Sequence, residues 1–127
     1  MPEVAAVQAA SPEAAQWDVA DYMQYDFHVS LSGSRVTGFL VSRPVAEGEC
    51  ELLNLVVAPE FRRQGVARAL IAPLLRTPGR VVYLEVRESN EIAIQFYKSL
   101  GFQGVSRRTQ YYDSPLEAAI VMKFHSC

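Results

Sequence analysis

The segment Arg62-Arg63-Gln64-Gly65-Val66-Ala67-Arg68 holds the residue types that bind an anion. It lies between an apolar run ending at Val57-Ala58-Pro59 and a run with helical spacing, so its backbone N–H groups fall at a helix start. Such groups lack intrahelical partners and carry partial positive charge. The spacing Arg62-x-x-Gly65-x-Ala67 puts small residues where a pyrophosphate must approach the backbone, and Arg62, Arg63 and Arg68 add formal charge around it. A plain glycine-containing loop with exposed arginines has the same composition, and the pattern is neither a dinucleotide fingerprint nor a P-loop. Two further side chains stand out. Glu85 sits in the apolar run Val81–Val86, either on a solvated face or deliberately placed, and its alternation with Leu84 and Val86 alone favours the solvated face. Tyr97, by packing alone, is a core aromatic whose hydroxyl pairs with some neighbour.

The elements that position these residues follow from periodicity. Ser11-Pro12-Glu13 supply a cap, a first-turn proline and a favourable charge for a helix reaching about Met23. From Tyr25 to Leu31 the period changes to two, Ser32-Gly33-Ser34 turn the chain, and Val36 to Ser42 return as a hairpin. Pro44 and Gly48 bracket a loop before a third strand, Glu49 to Val57. After the arginine-rich loop, Val66, Leu70, Ile71, Leu74 and Leu75 line one face of a helix that Pro73 kinks or ends near Arg76. Thr77-Pro78-Gly79 break the chain before a strand from Val81 to Val86. Asn90 to Leu100 read as a helix burying Ile92, Ala93, Phe96 and Leu100, with Gly101 as its C-terminal cap. Phe102 to Tyr111 form a strand, Asp113-Ser114-Pro115 a turn, and Ala118 to Phe124 a closing strand. The order α-β-β-β-α-β-α-β-β predicts an α/β fold, a mixed sheet with helices on both faces.

At 127 residues the chain has room for one domain, with an Ala-rich start (residues 1–10) that is open to disorder. Half of the residues are hydrophobic and the net charge is -2, the profile of a globular protein with a core. No apolar run approaches the roughly 18 residues that span a bilayer, and the start carries Glu3 but no base, so no membrane and a cytoplasmic location are expected. Cys50 and Cys127 make no disulfide framework, and with His28 and His125 they are a poor inventory for a metal. Neither cysteine stands in a recognisable nucleophile setting, which disfavours a covalent relay. Acids dominate residues 1–51, eight against Arg35 and Arg43, while bases dominate the remainder. Ordinary solvated surface explains this asymmetry, and a basic cofactor half facing an acidic substrate half is the sharper reading. The acidic balance and the lack of an aromatic–basic stripe argue against nucleic acid.

LNLVVAPEFRRQGVARAL and YLEVRESNEIAIQFYKSLGF resemble the GNAT acetyltransferase superfamily, and within it the bacterial ribosomal-protein alanine N-acetyltransferases. The resemblance runs from about Glu49 to Phe124 and includes Arg107-Arg108 and Tyr111-Tyr112. It implies a mixed, mostly antiparallel sheet splayed open around acetyl-CoA, with no metal. The edge of Leu55, Val56 and Val57 would bond the pantetheine arm. Arg62, Arg63, Gln64, Gly65, Val66, Ala67 and Arg68 would surround the pyrophosphate, and Asn90 would add a further contact. By the same resemblance Glu85 falls on the general base, Tyr97 on the general acid, and Tyr111 and Tyr112 on an aromatic pair flanking the acceptor amine.

That assignment suits the chemistry. An α-amino group, with a pKa of about 8, must lose a proton to attack a thioester, and the departing thiolate must gain one. A carboxylate shielded from water can serve as base and a tyrosine hydroxyl as acid, giving direct transfer in a ternary complex. The expected acceptor is a protein N-terminus of alanine type. A small amine such as a polyamine or aminoglycoside is the alternative, and a non-catalytic acetyl-CoA-binding module is a third reading. The segment before the first hairpin is short for this group, which makes the acceptor side the part that departs from it. A monomer suffices, and a homodimer that completes the acceptor side is compatible.

Overall fold

A computed structural model describes residues 2–10, 25–112 and 117–126. The expected helix from Ser11 to Met23 and the turn Asp113-Ser114-Pro115 lie outside these residues. Strands β1 (Asp26–Ser32) and β2 (Arg35–Ala46) form the expected hairpin, and β2 pairs antiparallel with β3 (Glu49–Val57). Helix α2 (Val66–Arg76) then carries the chain to β4 (Val81–Arg87), which runs parallel to β3. After helix α3 (Glu91–Ser99), β5 (Gln103–Tyr112) and β6 (Glu117–His125) close the sheet in the order β1-β2-β3-β4-β6-β5. Every neighbouring pair is antiparallel except β3 with β4.

The pairing of β3 with β4 is short. It runs from Glu49 opposite Val81 to Leu52 opposite Leu84 and stops there. Beyond that point β3 continues along β2 and β4 along β6, so the two central strands part as a fork. A bulge marks the place: Val41 lies opposite Asn54 and Ser42 opposite Leu52, leaving Leu53 as an extra residue of β3. Such an insertion bends the strand and increases its twist. It also exchanges faces, because Cys50 and Leu52 enter one core while Leu53 and Val56 enter the other.

The first core lies under α2 and α3 and contains Leu40, Leu52, Ile71, Val82, Leu84, Ile94 and Tyr97. The second packs Phe39, Val41 and Val56 against Val4 and Val7 of a helix α1 (Pro2–Ala9). Helices therefore cover both faces, as the element order predicts. The Ala-rich start, open to disorder from its composition, is helical over residues 2–9 because two valines three positions apart find an apolar face of the sheet. Gln8 reinforces the contact by accepting a bond from the Asn54 side chain at 3.3 Å.

Three boundaries differ from the periodicity reading. Strand β2 runs through Pro44 to Ala46 instead of ending in a loop. Pairing with β1 begins at Ser42 and a bulge follows Pro44, so the missing N–H falls where the ladder is already irregular. In α3 it is Ile94 that is buried, whereas Ile92, expected inside, is 87% exposed. A nine-residue helix presents one stripe to the core, and positions 93, 94, 97 and 100 occupy it. Strand β6 runs one residue past the expected end at Phe124, to His125 opposite Val81. Pro73 sits inside α2, which ends at Arg76 as anticipated. Among the described residues no helix is long and apolar enough to cross a membrane.

Gly38 fixes how closely α2 approaches the sheet. A Cβ there would lie 2.7 Å from the Val56 carbonyl oxygen and 3.2 Å from a Val66 methyl. The carbonyl is backbone and cannot swing aside, so Gly38→Ala must push β2 from β3 or α2 from the sheet. The expected loss is about 1–3 kcal/mol, read as a lower urea midpoint at unchanged slope.

Candidate functional site

The fork leaves backbone groups of β3 without a strand partner on the β4 side from Leu53 onward. An exposed row of N–H and C=O groups is a template for an extended chain that carries amides. Leu55, Val56 and Val57 stand on this open stretch. Arg62 donates from Nε to the Val57 carbonyl at 3.3 Å, which ties the following loop to the end of the strand.

After Val57 a short 3-10 turn, Pro59–Phe61, leads into the arginine-rich loop. Gly65 adopts φ +82° as the residue before α2, a conformation open to glycine at no steric cost, and Arg63 at φ +62° is the one non-glycine in that region among the described residues. Nothing lies within 4 Å of a Cβ built on Gly65, so the space in front of the helix start is open. No side chain caps α2 and no acid stands in its first turn. Its unsatisfied N–H groups and dipole therefore face that space uncompensated, which is the arrangement that binds an anionic group. Gln64 bonds the Glu60 carbonyl, holding the loop's own shape. Arg68 behaves differently from the expectation: its guanidinium donates to the Ser99 hydroxyl at 2.9 Å and lies over the Phe96 ring. Arg68 thus couples the two helices instead of pointing into the open space.

Asn90 caps α3, accepting the Ala93 N–H at 3.2 Å. The preceding turn is anchored from β6, since Glu117 accepts the Ser89 N–H and pairs with Arg87. At the other end of α3, the N–H of Phe102 reaches the Tyr97 carbonyl and that of Gly101 reaches Lys98. These two bonds with Gly101 at φ +106° make a Schellman cap, the predicted termination. They pin the backbone of Tyr97, whose ring is 9% exposed and meets Phe96 and Phe102 edge-on at 5.4 and 5.5 Å.

Glu85 is the first residue of β4 beyond the fork. Its strand neighbours Leu84 and Val86 enter the core under α2 and α3, so Glu85 faces the other side of the sheet. Alternation therefore places it off the core, but not in water: its side chain is only 15% exposed. Arg108 Nη1 donates to Oε1 at 2.6 Å, while Oε2 is buried with no hydrogen-bond partner among the described residues. Tyr111 stands beside this pair, its ring under the Arg108 guanidinium at 4.3 Å. Burial first, and then the Glu85 carboxylate, push the Tyr111 phenol above its ordinary value. For Tyr112 the strand position alone is described, opposite Glu117.

The sheet thus keeps Glu85 and Tyr97 on opposite faces, with the fork opening between β3 and β4 just before Glu85. The arrangement can hold an extended amide chain on β3, an anion at α2, a base on one side and an acid on the other. Gly38, Arg108 and Glu117 escaped the sequence reading as site residues. A carboxylate inside an apolar strand requires a cation nearby, and that requirement was the available signal for Arg108. A groove of about 390 Å³ lies elsewhere, between α3 and the β5–β6 hairpin, lined in part by Glu91, Lys98 and Met122, and none of the expected site residues borders it. Among the described residues no group of three His, Cys, Asp or Glu side chains converges on a metal position.

Comparison with known proteins bears on this arrangement. Residues 4–102 match the acetyltransferase (GNAT) family. The [ribosomal protein bS18]-alanine N-acetyltransferase of Escherichia coli K12 is 35% identical over 103 residues, covering 76% of this chain and 68% of that protein. The crystal structure of the ribosomal-protein-S18-alanine N-acetyltransferase from Escherichia coli superposes with a TM-score of 0.82 at 28% identity, over 98% of this chain and 86% of that one. Ard1 from Thermoplasma volcanium gives a TM-score of 0.85 at 26% identity, over 99% and 93%.

The raised Tyr111 phenol has a consequence for alkaline stability. As pH climbs past about 10, the unfolded chain releases this proton first. Tyr111's contribution is therefore complete below that value and lost as pH rises through the higher folded value. Phenolate absorbance should show a late-titrating tyrosine that Tyr111→Phe removes and that Glu85→Gln brings down. A titration unaltered by Glu85→Gln would show that the two groups are not coupled.

Proposed function

Because the chain belongs to the acetyltransferase (GNAT) family, we propose that, as a single domain, it acetylates the N-terminal α-amine of a protein of alanine type. Acetyl-CoA-dependent N-acetylation itself is the activity of this chain. The open β3 edge and the uncapped start of α2, with free space in front of Gly65, fit a ligand with two amides and a diphosphate. Leu55 to Val57 would hold the amides. Arg62 to Ala67 would hold the diphosphate, with Arg68 securing α2 against α3 and Asn90 at the mouth of the fork. Acetyl-CoA supplies the acetyl group as a thioester.

The observation that carries the mechanism is the position of Glu85 and Tyr97 on either side of the fork. The acceptor nitrogen approaches from the Glu85 face and bonds the carbonyl carbon as the carbon–sulfur bond breaks. The Glu85 carboxylate, held through Oε1 by Arg108, takes the proton from nitrogen. The Tyr97 hydroxyl gives its proton to the departing sulfur. Both substrates are bound together, in a ternary complex, and Tyr111 and Tyr112 flank the amine. A monomer contains all of these groups.

One observation weighs between acceptors. Among the described residues, two carboxylates on the Glu85 face are neutralised, Glu85 by Arg108 and Glu51 by Arg43 at 2.7 Å. A polyamine needs unpaired negative charge, and this face offers little. A peptide needs one amine-sized opening and a surface for its chain.

The test is incubation with acetyl-CoA and a peptide bearing a free N-terminal alanine, followed by mass spectrometry, with spermidine in parallel. Acetylation confined to the peptide α-amine is expected, and modification of spermidine alone would overturn the protein-acceptor reading. Tyr97→Phe should lower kcat by about 10²–10⁴-fold while leaving acetyl-CoA affinity nearly unchanged. Equal losses in rate and affinity would remove its role as acid.

A further inference from the structure

We propose that Arg108 is a positioning residue for the transfer, gripping Glu85 through Oε1 and so fixing the orientation of the carboxylate that serves as base. The inference rests on Glu85 acting as the base. Arg108 comes from β5, where it lies opposite Ala119 of β6, while Glu85 lies opposite Val121 on the far side of that strand. The guanidinium therefore reaches across β6 to make its 2.6 Å contact. Just past Arg108 the β5 ladder is irregular as far as Tyr112, and within that stretch Tyr111 places its ring against the guanidinium. The cation is thus held from two directions, by a carboxylate and by an aromatic face.

Magnitudes separate positioning from simple stabilisation. Arg108 is 54% exposed on its side chain, so solvent screens both its ion pair and its ring contact and they add little to stability. The fold gains little, but the carboxylate gains a fixed rotamer. Without Arg108, Glu85 has two equivalent oxygens and the freedom to turn; with it, Oε1 is held and the carboxylate keeps one orientation. The adjacent Arg107 does something else, pairing with Glu88 in the turn before α3. Among the described residues, the other charged groups near Arg108 on this face are Glu51 and, bound to it, Arg43. Glu51 is already occupied by Arg43, which leaves Glu85 as the carboxylate Arg108 serves.

Steady-state kinetics on Arg108→Met and Arg108→Lys, with Glu85→Gln alongside, test this. Arg108→Met should lower kcat about 10- to 100-fold, the usual loss when a group that orients a functional side chain is removed. KM for peptide and for acetyl-CoA, and the melting temperature, should move little. Arg108→Lys should recover part of kcat, since it restores a cation and one donor. The Tyr111 phenol supplies a signature independent of turnover: Arg108 holds it down against burial and Glu85, so Arg108→Met should raise it further. An unchanged kcat in Arg108→Met would overturn the proposal, as would a change confined to peptide KM, which would make Arg108 an acceptor contact. A kcat loss matched by a fall in melting temperature and shared by Arg108→Lys would reduce it to a structural residue. Full activity in Glu85→Gln would remove the base itself. An inactive Glu85→Gln beside an unaffected Arg108→Met would remove Arg108 alone.

Discussion

Two parallel strands cannot part inside a sheet without leaving backbone groups unpaired, and the proposed function has a ligand meet that cost. Between Leu52–Leu84 and the strand ends, β3 and β4 each keep one neighbour and lose the other. An unmade hydrogen bond at a shielded backbone group costs about 1–3 kcal/mol, so a fold does not open such a gap by default. The extra residue Leu53 provides the local cause, because it bends β3 exactly where the partnership ends. The opening persists because β2 on one side and β6 on the other hold the diverging strands firmly. In the proposed binding mode, amide groups of an extended ligand would complete the ladder that the strands abandoned.

Everything placed around the gap follows from this opening. The chain leaving β3 must turn immediately, and that turn delivers the start of α2 with its open N–H groups and its left-handed Gly65. Gly38 allows α2 to lie close enough for this start to face the gap instead of solvent. The chain leaving β4 enters α3, whose C-terminal cap pins Tyr97 on the core face. Glu85 emerges on the opposite face simply because it is one residue beyond Leu84. A continuous sheet would separate these two side chains by a closed backbone layer; a forked one lets them act on a common group.

Charge is arranged with the same economy. Cations and uncapped N–H groups meet around the α2 start, where a diphosphate would sit, while no acid stands in the first turn of that helix. On the other face, among the described residues, Glu85 and Glu51 near the gap each have an arginine, which lowers the negative charge that face presents. Exposed pairs of this kind add little to stability. Their effect is on geometry and on which cations the face attracts.

The sequence by itself determined the local elements and the anion loop, since these depend on neighbours in the chain. Alternation gave the strands, the Arg62-x-x-Gly65-x-Ala67 spacing marked the helix start, and Gly101 marked the end of α3. It also carried the family resemblance, through motifs whose spacing survives without coordinates. Contacts between distant segments decided the rest. Val4 and Val7 order the first helix only because Phe39, Val41 and Val56 await them. Ile94 rather than Ile92 is buried because the sheet selects one stripe of α3. Glu85 illustrates the division most clearly: its alternation gave the correct face, but shielding on that face comes from Arg108 and Tyr111, more than 20 residues away along the chain. Periodicity reports which side of a strand a residue occupies. What covers that side is a property of the folded chain.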